Sequence, residues 1–408
     1  MLRKPKFITF FMFTKFWNPI LRTMKPISVL LLLISFFSFD TAVLHSQSLY
    51  YPPANEWEEK SPEDVGLSSQ QIEEAIQFAI ENENSVERDL KIAILKGFSH
   101  EPYHKLAGPV RERGGPAGLI IKDGYIAAKW GDVDRVDMTF SVTKSYLSTV
   151  TGIAWDDGQL QNTDDPVHKY VWDRTFDGEH NQKITWHHLL QQTSDWYGIL
   201  FGMEDWSDRP PREGGIDDWR FRELHEPGTH YKYNDVRVNL LAYSLLQVVR
   251  EPLPQILKKR VMDPIGASTT WRWYGYDNSF VMVDGVNIQS VSGGGHNGGG
   301  LFINTTDHAR FGLLFARNGK WNNNQIISQN WIDKAVEPSN INPDYGYLWW
   351  LLNSENNWNG VPQDVFYAAG FGGNYIVVDR ENDMVIVLRW LDSSKLGELM
   401  SMIYSAVE

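Results

Sequence analysis

A serine and a lysine three residues apart are the pair in this chain best suited to nucleophilic catalysis. Ser141 and Lys144 form the only Ser-x-x-Lys tetrapeptide among the 408 residues. One helical turn puts both side chains on the same face, so the lysine amine could take the serine proton. That role needs a lysine pKa lowered by burial and by positive neighbours. The four residues alone fit equally well a serine helix N-cap followed by a solvated surface lysine.

The flanking sequence predicts elements that would hold this pair in place. Apolar residues recur at mostly three- and four-residue steps after Ser141, which indicates a helix ending near Gly158. Two apolar runs, 118–121 and 125–130, flank a Lys-Asp-Gly turn and predict a β-hairpin. We therefore expect a hairpin that leads into the helix with the nucleophile.

Two later segments complete a family pattern: residues 227–235 (PGTHYKYND) and residues 367–374 (YAAGFGGN). With the Ser-x-x-Lys, they resemble the three motifs of the serine β-lactamase and penicillin-binding-protein superfamily. The resemblance is closest to the class C β-lactamase-like branch, which includes esterases and 6-aminohexanoate-dimer hydrolases. Residues 184–194 and 299–311 match further stretches of that branch, and the order is consistent from Gly66 to the C-terminus.

The resemblance implies a role for each matching residue. Ser141 would be the acylated nucleophile, Lys144 its proton acceptor, and Tyr233 a proton relay to the leaving group and to the water of deacylation. The backbone N–H groups of Ser141 and Phe371 would form the oxyanion hole. The alternative for Tyr233 is a buried aromatic residue with a satisfied hydroxyl. No metal or other cofactor is implied.

Two departures from the family motifs bear on the substrate. Asp235 replaces an asparagine; it either caps the helix that we expect to start at Val236 or makes a polar contact with substrate or Lys144. Ala368 replaces the lysine or histidine that opens the third motif, so a cation for a substrate carboxylate is missing there. The predicted substrate-binding positions are Asp235, Ala368 and Gly370, and neutral esters or amides are favoured over β-lactams and D-Ala-D-Ala peptides.

Composition narrows the class of protein. The chain has 38 basic and 51 acidic residues, a net charge of −13, and no basic patch after the leader, so nucleic acid is not an expected partner. It has no cysteine, which excludes disulfides, thiolate catalysis and a lipoprotein anchor. The expected partner is a small-molecule or polymer-derived acyl substrate; the oligomeric state is left open.

The first 46 residues predict a signal peptide. Basic residues precede an apolar run at 27–39 of the length of a signal-peptide core, and Met24 is an alternative initiator. The mature chain would start near Gln47 and be periplasmic or secreted, without stable membrane insertion after cleavage; a short membrane anchor is the alternative.

Three other segments contain residues that could bind ligands. Residues 100–104 (HEPYH) spell a zinc-protease pattern, but Pro102 breaks the helix that this chemistry needs, so we expect a loop. The His187–His188 pair lies on an apolar helical stretch and is expected to be structural. The glycine-rich run 292–300 lacks the ending of a phosphate loop, and we interpret it as a flexible loop at the edge of the pocket.

The predicted fold is α+β: an antiparallel sheet of N- and C-terminal strands, flanked by helices, with a mostly helical sub-domain inserted at about 159–274 of a single domain, 47–408. The predicted function is that of an exported serine hydrolase acting on ester or amide bonds. The alternatives are a β-lactamase or D-amino-acid peptidase, a carbohydrate esterase suggested by export and the 17 tryptophans, and a non-catalytic binding protein on the same fold.

Overall fold

A computed structural model describes residues 49–353 and 358–408. The predicted leader lies outside these residues. Within the described ranges, no helix combines the length and the apolar character needed to cross a membrane. The helices are α1 (Ser69–Glu81), α2 (Leu90–Phe98), α3 (Thr143–Asp156), α4 (Trp186–Leu190), α5 (Ile216–Arg220), α6 (Asp235–Val249), α7 (Leu253–Leu257), α8 (Thr305–Ala316), α9 (Gln329–Ala335) and α10 (Leu396–Ser405).

The strands are β1 (Ala117–Lys122), β2 (Tyr125–Trp130), β3 (Asp137–Met138), β4 (Ile199–Leu200), β5 (Met203–Glu204), β6 (Arg272–Val283), β7 (Val286–Val291), β8 (Gly300–Ile303), β9 (Lys320–Trp321), β10 (Asn324–Gln325), β11 (Trp350–Leu351), β12 (Phe366–Gly370), β13 (Asn374–Asp379) and β14 (Met384–Arg389). The largest sheet has the order β11-β12-β13-β14-β1-β2, and all its pairs are antiparallel. Since β14 pairs with β1, strands from both ends of the described chain meet at its centre, as predicted.

Successive side chains on the central strands enter different cores because strand residues alternate between faces. Leu119 belongs to a large core that continues into α3, α6 and α8. Its neighbour Ile120 belongs to a second core with the inner faces of α1 and α10. The sheet therefore lies between two helical layers, which is the α+β architecture expected from the sequence.

Gly312 lets α8 lie directly on the sheet, since a Cβ there would be 2.4 Å from Cγ1 of Val385. From the sequence, Thr305 or Thr306 is expected to cap α8, but the N-cap is Asn304: it has extended dihedral angles and its side chain accepts a hydrogen bond from the Asp307 N–H.

Between the hairpin and the C-terminal strands lies a segment made mostly of helices and turns. It contains α4 to α7 and the short β4–β5 ribbon, and β6 begins at Arg272, inside the range expected for the insertion. A second sheet has the order β3-β8-β6-β7, and its strand β3 comes from before α3. The large core runs through both parts without interruption.

Candidate active site

Ser141 lies in a turn of 3₁₀ helix, Phe140–Val142, directly before α3. Phe140 has a φ of 49°, a left-handed conformation that is unfavourable for a bulky residue and is typical of functional sites. The Thr143 hydroxyl stabilises the turn by donating to the Phe140 carbonyl at 2.6 Å and accepting from the Leu301 N–H at 3.0 Å. The N-cap of α3 is Val142, so the alternative of Ser141 as a helix cap is wrong.

The Lys144 ammonium reaches back to the serine, as the spacing predicts. Its Nζ lies 2.7 Å from Ser141 Oγ and 3.2 Å from the Gly293 carbonyl oxygen. The residue is only 1% exposed, so the alternative of a surface lysine is also wrong. Gly293 belongs to the glycine-rich run, which therefore borders the site as expected.

The charge of Lys144 differs from the expectation. Burial favours the neutral amine, but the Asp235 carboxylate, whose Oδ1 is 2.7 Å from Nζ, outweighs burial and raises the pKa of Lys144 above its usual value. The expected depression of the pKa is therefore wrong. At neutral pH the lysine is an ammonium that donates a hydrogen bond to Ser141 Oγ.

Asp235 does not cap α6, because it is the first residue of that helix. Asn234 is the N-cap: its backbone is extended and its side chain accepts from the Arg237 N–H. Asp235 instead makes the contact with Lys144 that was the other interpretation of this departure. The Asp235 backbone N–H donates to Asp208 Oδ2 at 2.6 Å, which anchors the start of the helix.

Tyr233 lies on the approach to α6, half-buried beside the same groups. Its ring stacks on Trp350 at 5.9 Å between centroids and meets Tyr345 edge-on. Lys144 Nζ and Arg209 Cζ each lie 5.0 Å from the centre of the ring. Two cations therefore lie beside the ring of Tyr233.

The third motif brings the end of β12 against the nucleophile turn. A Cβ on Gly370 would lie 2.3 Å from the Thr139 carbonyl oxygen and 3.2 Å from the Ser141 backbone nitrogen, so only glycine allows this approach. Phe371 follows at once, and its ring packs edge-on against Phe140 at 5.1 Å. Ala368 is 1% exposed and belongs to the large core. The oxyanion-hole and substrate-binding roles of these residues remain predictions.

Four charged residues that the sequence analysis did not select complete the site. Arg209 donates to both oxygens of Asp208, at 2.8 and 2.9 Å, and its Nη2 lies 2.9 Å from Asp235 Oδ2. His296, in the glycine-rich run, places Nε2 2.7 Å from Glu101 and Nδ1 3.4 Å from Asp235. Glu101 belongs to the HEPYH segment, which forms turns and a loop after α2, as expected. The only sequence signal for Glu101 and His296 was the unusual composition of the two segments that contain them, 100–104 and 292–300.

The pKa values in this cluster follow from burial and pairing. Burial disfavours the charged imidazole, but Asp235, Glu101 and Asp208 together raise the pKa of His296 to about 9. Burial raises the pKa of Asp208, and Asp235 adds to this against the cation Arg209. For Asp235, burial is outweighed by Arg209, Lys144 and His296, so its pKa is well below the usual value.

Potential ligand atoms of Glu101, Asp208 and His296 lie within 4.8 Å of one another, a spacing that a metal ion could use. Here the carboxylates are matched by protein cations, since Asp208 pairs with Arg209 and Glu101 with His296. The side chains that could bind a metal ion are therefore already engaged in ion pairs within the protein. The His187–His188 pair is structural as expected: His188 Nδ1 accepts from the Thr185 N–H in a capping box, and His187 contacts the Tyr347 hydroxyl.

Comparisons with known proteins bear on the family and the fold. The family model described as Beta-lactamase matches residues 113–390. The search of curated proteins finds no match. Among solved structures, EstCE1, a hydrolase with promiscuous acyltransferase activity, is 15% identical with a TM-score of 0.55, covering 83% of this chain and 98% of its own.

Two further structures are similar in fold. A family VIII carboxylesterase is 16% identical with a TM-score of 0.52, and the match covers 78% of this chain and 96% of that one. A β-lactamase/D-alanine carboxypeptidase from Pseudomonas syringae is 14% identical with a TM-score of 0.51, with coverages of 78% and 98%. The family match spans more than half of the chain and contains all three motifs, so the protein belongs to the beta-lactamase family.

Proposed function

We propose that this protein is a serine hydrolase that cleaves ester or amide bonds through an acyl-enzyme on Ser141. The observation that carries the proposal is the 2.7 Å contact between Lys144 Nζ and Ser141 Oγ on a strained turn before α3. A purely binding protein has no physical need for a buried ammonium directed at a half-exposed serine. Membership of a family with hydrolase relatives supports the same conclusion.

The charge of Lys144 suggests how the protons move. As an ammonium, Lys144 stabilises the developing Ser141 alkoxide and cannot itself accept the serine proton. The Tyr233 hydroxyl is the proposed proton relay, and the centre of its ring lies 5.0 Å from both Lys144 Nζ and Arg209 Cζ. The Ser141 oxygen then bonds to the acyl carbon, and Tyr233 passes the proton to the departing alcohol or amine. In deacylation a water molecule gives its proton to Tyr233, and Ser141 recovers one as the ester breaks.

The proposed oxyanion hole consists of the backbone N–H groups of Ser141 and Phe371. Its support is the approach of Gly370 to the Ser141 nitrogen, which leaves no room for a side chain. A donor of this kind contributes about 3–4 kcal/mol to transition-state stabilisation. The tetrahedral intermediate would be held between the turn before α3 and the edge of β12.

We propose neutral esters or amides as substrates. Position 368 carries no cation, and its methyl group is buried in the core. Arg209, a partly exposed cation of the site, already faces Asp208 and Asp235. A substrate carboxylate would have to compete with both. Because the Arg209 side chain is 32% exposed, a carboxylate-bearing β-lactam or D-amino-acid peptide is the second candidate substrate.

The experiment combines labelling with a substrate panel. A fluorophosphonate probe should add one label to the wild type and none to Ser141→Ala; Ser145→Ala, whose hydroxyl binds the Leu348 carbonyl in the core, is the matched control. Short-chain aryl esters and amide dimers should be turned over faster than a chromogenic cephalosporin. Labelling that survives in Ser141→Ala would reject the nucleophile, and efficient cephalosporin hydrolysis with slow ester turnover would favour the second candidate.

We also propose that the protein is exported; this proposal rests only on the predicted leader, residues 1–46. Expression of the full chain in a bacterial host should give a periplasmic or secreted product whose N-terminus lies near Gln47. A cytoplasmic product that retains the leader would contradict export and leave the hydrolase proposal untouched.

A further inference from the structure

A buried chain of alternating charges extends from the lysine away from the nucleophile. Lys144 Nζ contacts Asp235 Oδ1 at 2.7 Å, Asp235 Oδ2 faces His296 Nδ1 at 3.4 Å, and His296 Nε2 meets Glu101 Oε2 at 2.7 Å. None of the four side chains is more than 3% exposed. Buried charges of this kind are costly unless they are paired, so each member depends on the next.

The imidazole is fixed in position by packing as well as by charge. The Phe98 ring lies parallel to it, with centroids 4.1 Å apart. The charged groups that face His296 are Glu101, Asp208 and Asp235. The charged groups that face Lys144 are Asp235 and Arg209, and the Tyr233 ring also lies beside it. A carboxylate therefore faces each ring nitrogen of His296, and the ring has little freedom to rotate.

We propose that His296 and Glu101 are positioning residues of the catalytic centre: the imidazolium, held by Glu101, orients Asp235 against Lys144 and balances the charge of the cluster. The inference rests on the proposed serine-hydrolase function. Neither residue belongs to the three sequence motifs. Both act on the reaction through Asp235 and Lys144.

The protonation of His296 sets the net charge of the buried cluster. With His296 protonated, the cations Lys144, Arg209 and His296 face the carboxylates of Glu101, Asp208 and Asp235. When His296 loses its proton, the cluster becomes one charge more negative. That change opposes the alkoxide and oxyanion that form on acylation. Acylation should therefore be fast below the pKa of His296, about 9, and slow above it.

The test measures the rate of Ser141 acylation, as the burst of p-nitrophenol from p-nitrophenyl acetate, from neutral pH to beyond the His296 pKa. In the wild type we expect the acylation rate to decrease as the pH rises through about 9; this decrease is the basic limb of the profile. Glu101→Gln keeps the size and one acceptor but removes the anion, so the limb should move about 1–3 pH units lower. His296→Gln should lose this limb and acylate about 10- to 100-fold more slowly at neutral pH, with the KM less affected than kcat.

The control is His187→Gln, which replaces a histidine outside the cluster and should keep the wild-type profile. The His296 ring protons followed by NMR give the same titration without any turnover, and they serve if His296→Gln fails to fold. A basic limb and an NMR titration that do not move in Glu101→Gln would overturn the inference.

Two other results would also overturn it. One is a loss of stability in both variants with unchanged pH profiles, which would make the cluster purely structural. The other is a stoichiometric metal ion bound by Glu101, Asp208 and His296, with acylation lost to a chelator and restored by the metal. Failure of the wild type to acylate Ser141 at all would instead reject the proposed function, so the two failures are distinguishable.

Discussion

Asp235 lies 2.7 Å from the Lys144 ammonium, at the position where related motifs have asparagine. An asparagine there could hydrogen-bond Lys144, but it has no negative charge with which to stabilise the ammonium. The carboxylate reverses the effect of burial on the pKa of Lys144. With Asp235 at this position, the ammonium form of Lys144 is favoured over the neutral amine that burial alone would favour.

Asp235→Asn should lower the pKa of Lys144, because burial and the cation Arg209 remain while the main anion is removed. A ¹³C NMR titration of the lysine Cε would measure the shift directly, and the acylation rate should fall at a lower pH than in the wild type. Asp284→Asn, which removes an exposed partner of Arg250, is the control and should change neither. An unchanged Lys144 titration would show that Asp235 does not set its charge.

Tyr233→Phe should reduce the acylation rate by about 10²–10⁴-fold, since it removes the proposed proton relay. The ring would still stack on Trp350, so the KM should change less than kcat. Tyr231→Phe, two residues earlier on the same approach to α6, is the control. Near wild-type turnover in Tyr233→Phe would move the relay role to another group.

Local signals were sufficient for the elements that hold Ser141. Asp123 and Gly124 both have positive φ, as an Asp-Gly hairpin turn requires, and the hairpin forms where it was predicted. Helix caps were less predictable. Asn304, Thr305 and Thr306 can all cap, and only the backbone angles at Asn304 decide between them. Asn234 and Asp235 pose the same problem at α6.

The contact between Ser141 and Lys144 follows from their spacing within one turn. The charge of that lysine does not, because it depends on groups from separate parts of the chain. Arg209 and His296 carry no motif, and whether Glu101 is buried depends on long-range packing. Residue types alone could not show that these side chains meet, nor that Ala368 would lie inside the core.

Gly370→Ala should impair catalysis more than folding. The new methyl group would lie 2.3 Å from the Thr139 carbonyl oxygen, so the end of β12 must move away from Ser141 and carry the Phe371 N–H with it. Loss of one oxyanion donor reduces kcat by about 10²–10³-fold. In the control, Gly97→Ala, the methyl group meets the Phe371 ring at an ordinary 3.9 Å. Equal kcat values in the two variants, measured with an aryl ester, would contradict the oxyanion assignment.

A second buried cluster supports the segment that carries Tyr233. Asp195 accepts from Arg222 through both oxygens at 2.8 Å, from Arg237 at 2.6 Å and from the His225 N–H at 2.7 Å. Arg237 also pairs with Asp205, whose carbonyl oxygen accepts from the Asn234 side chain at the cap of α6. Burial opposes a charge on Asp195, but hydrogen bonds and charge from the two arginines lower its pKa to about 2.

This depressed pKa predicts how stability responds to acid. The contribution of Asp195 is fully present above its ordinary pKa of 3.8 and is lost as the pH falls toward about 2. Asp195→Asn should lower the free energy of unfolding by up to about 3–5 kcal/mol at neutral pH, because it breaks a buried ion pair. The deficit should shrink between pH 3.8 and about 2, since the wild type loses the same interaction there. Urea unfolding at both ends of this window measures the difference.

The control is Asp177→Asn, which removes an exposed partner of Arg174 and should lower the free energy of unfolding by about 1 kcal/mol or less. A deficit in Asp195→Asn that stays constant with pH would show that the charge of Asp195 is not what stabilises the cluster.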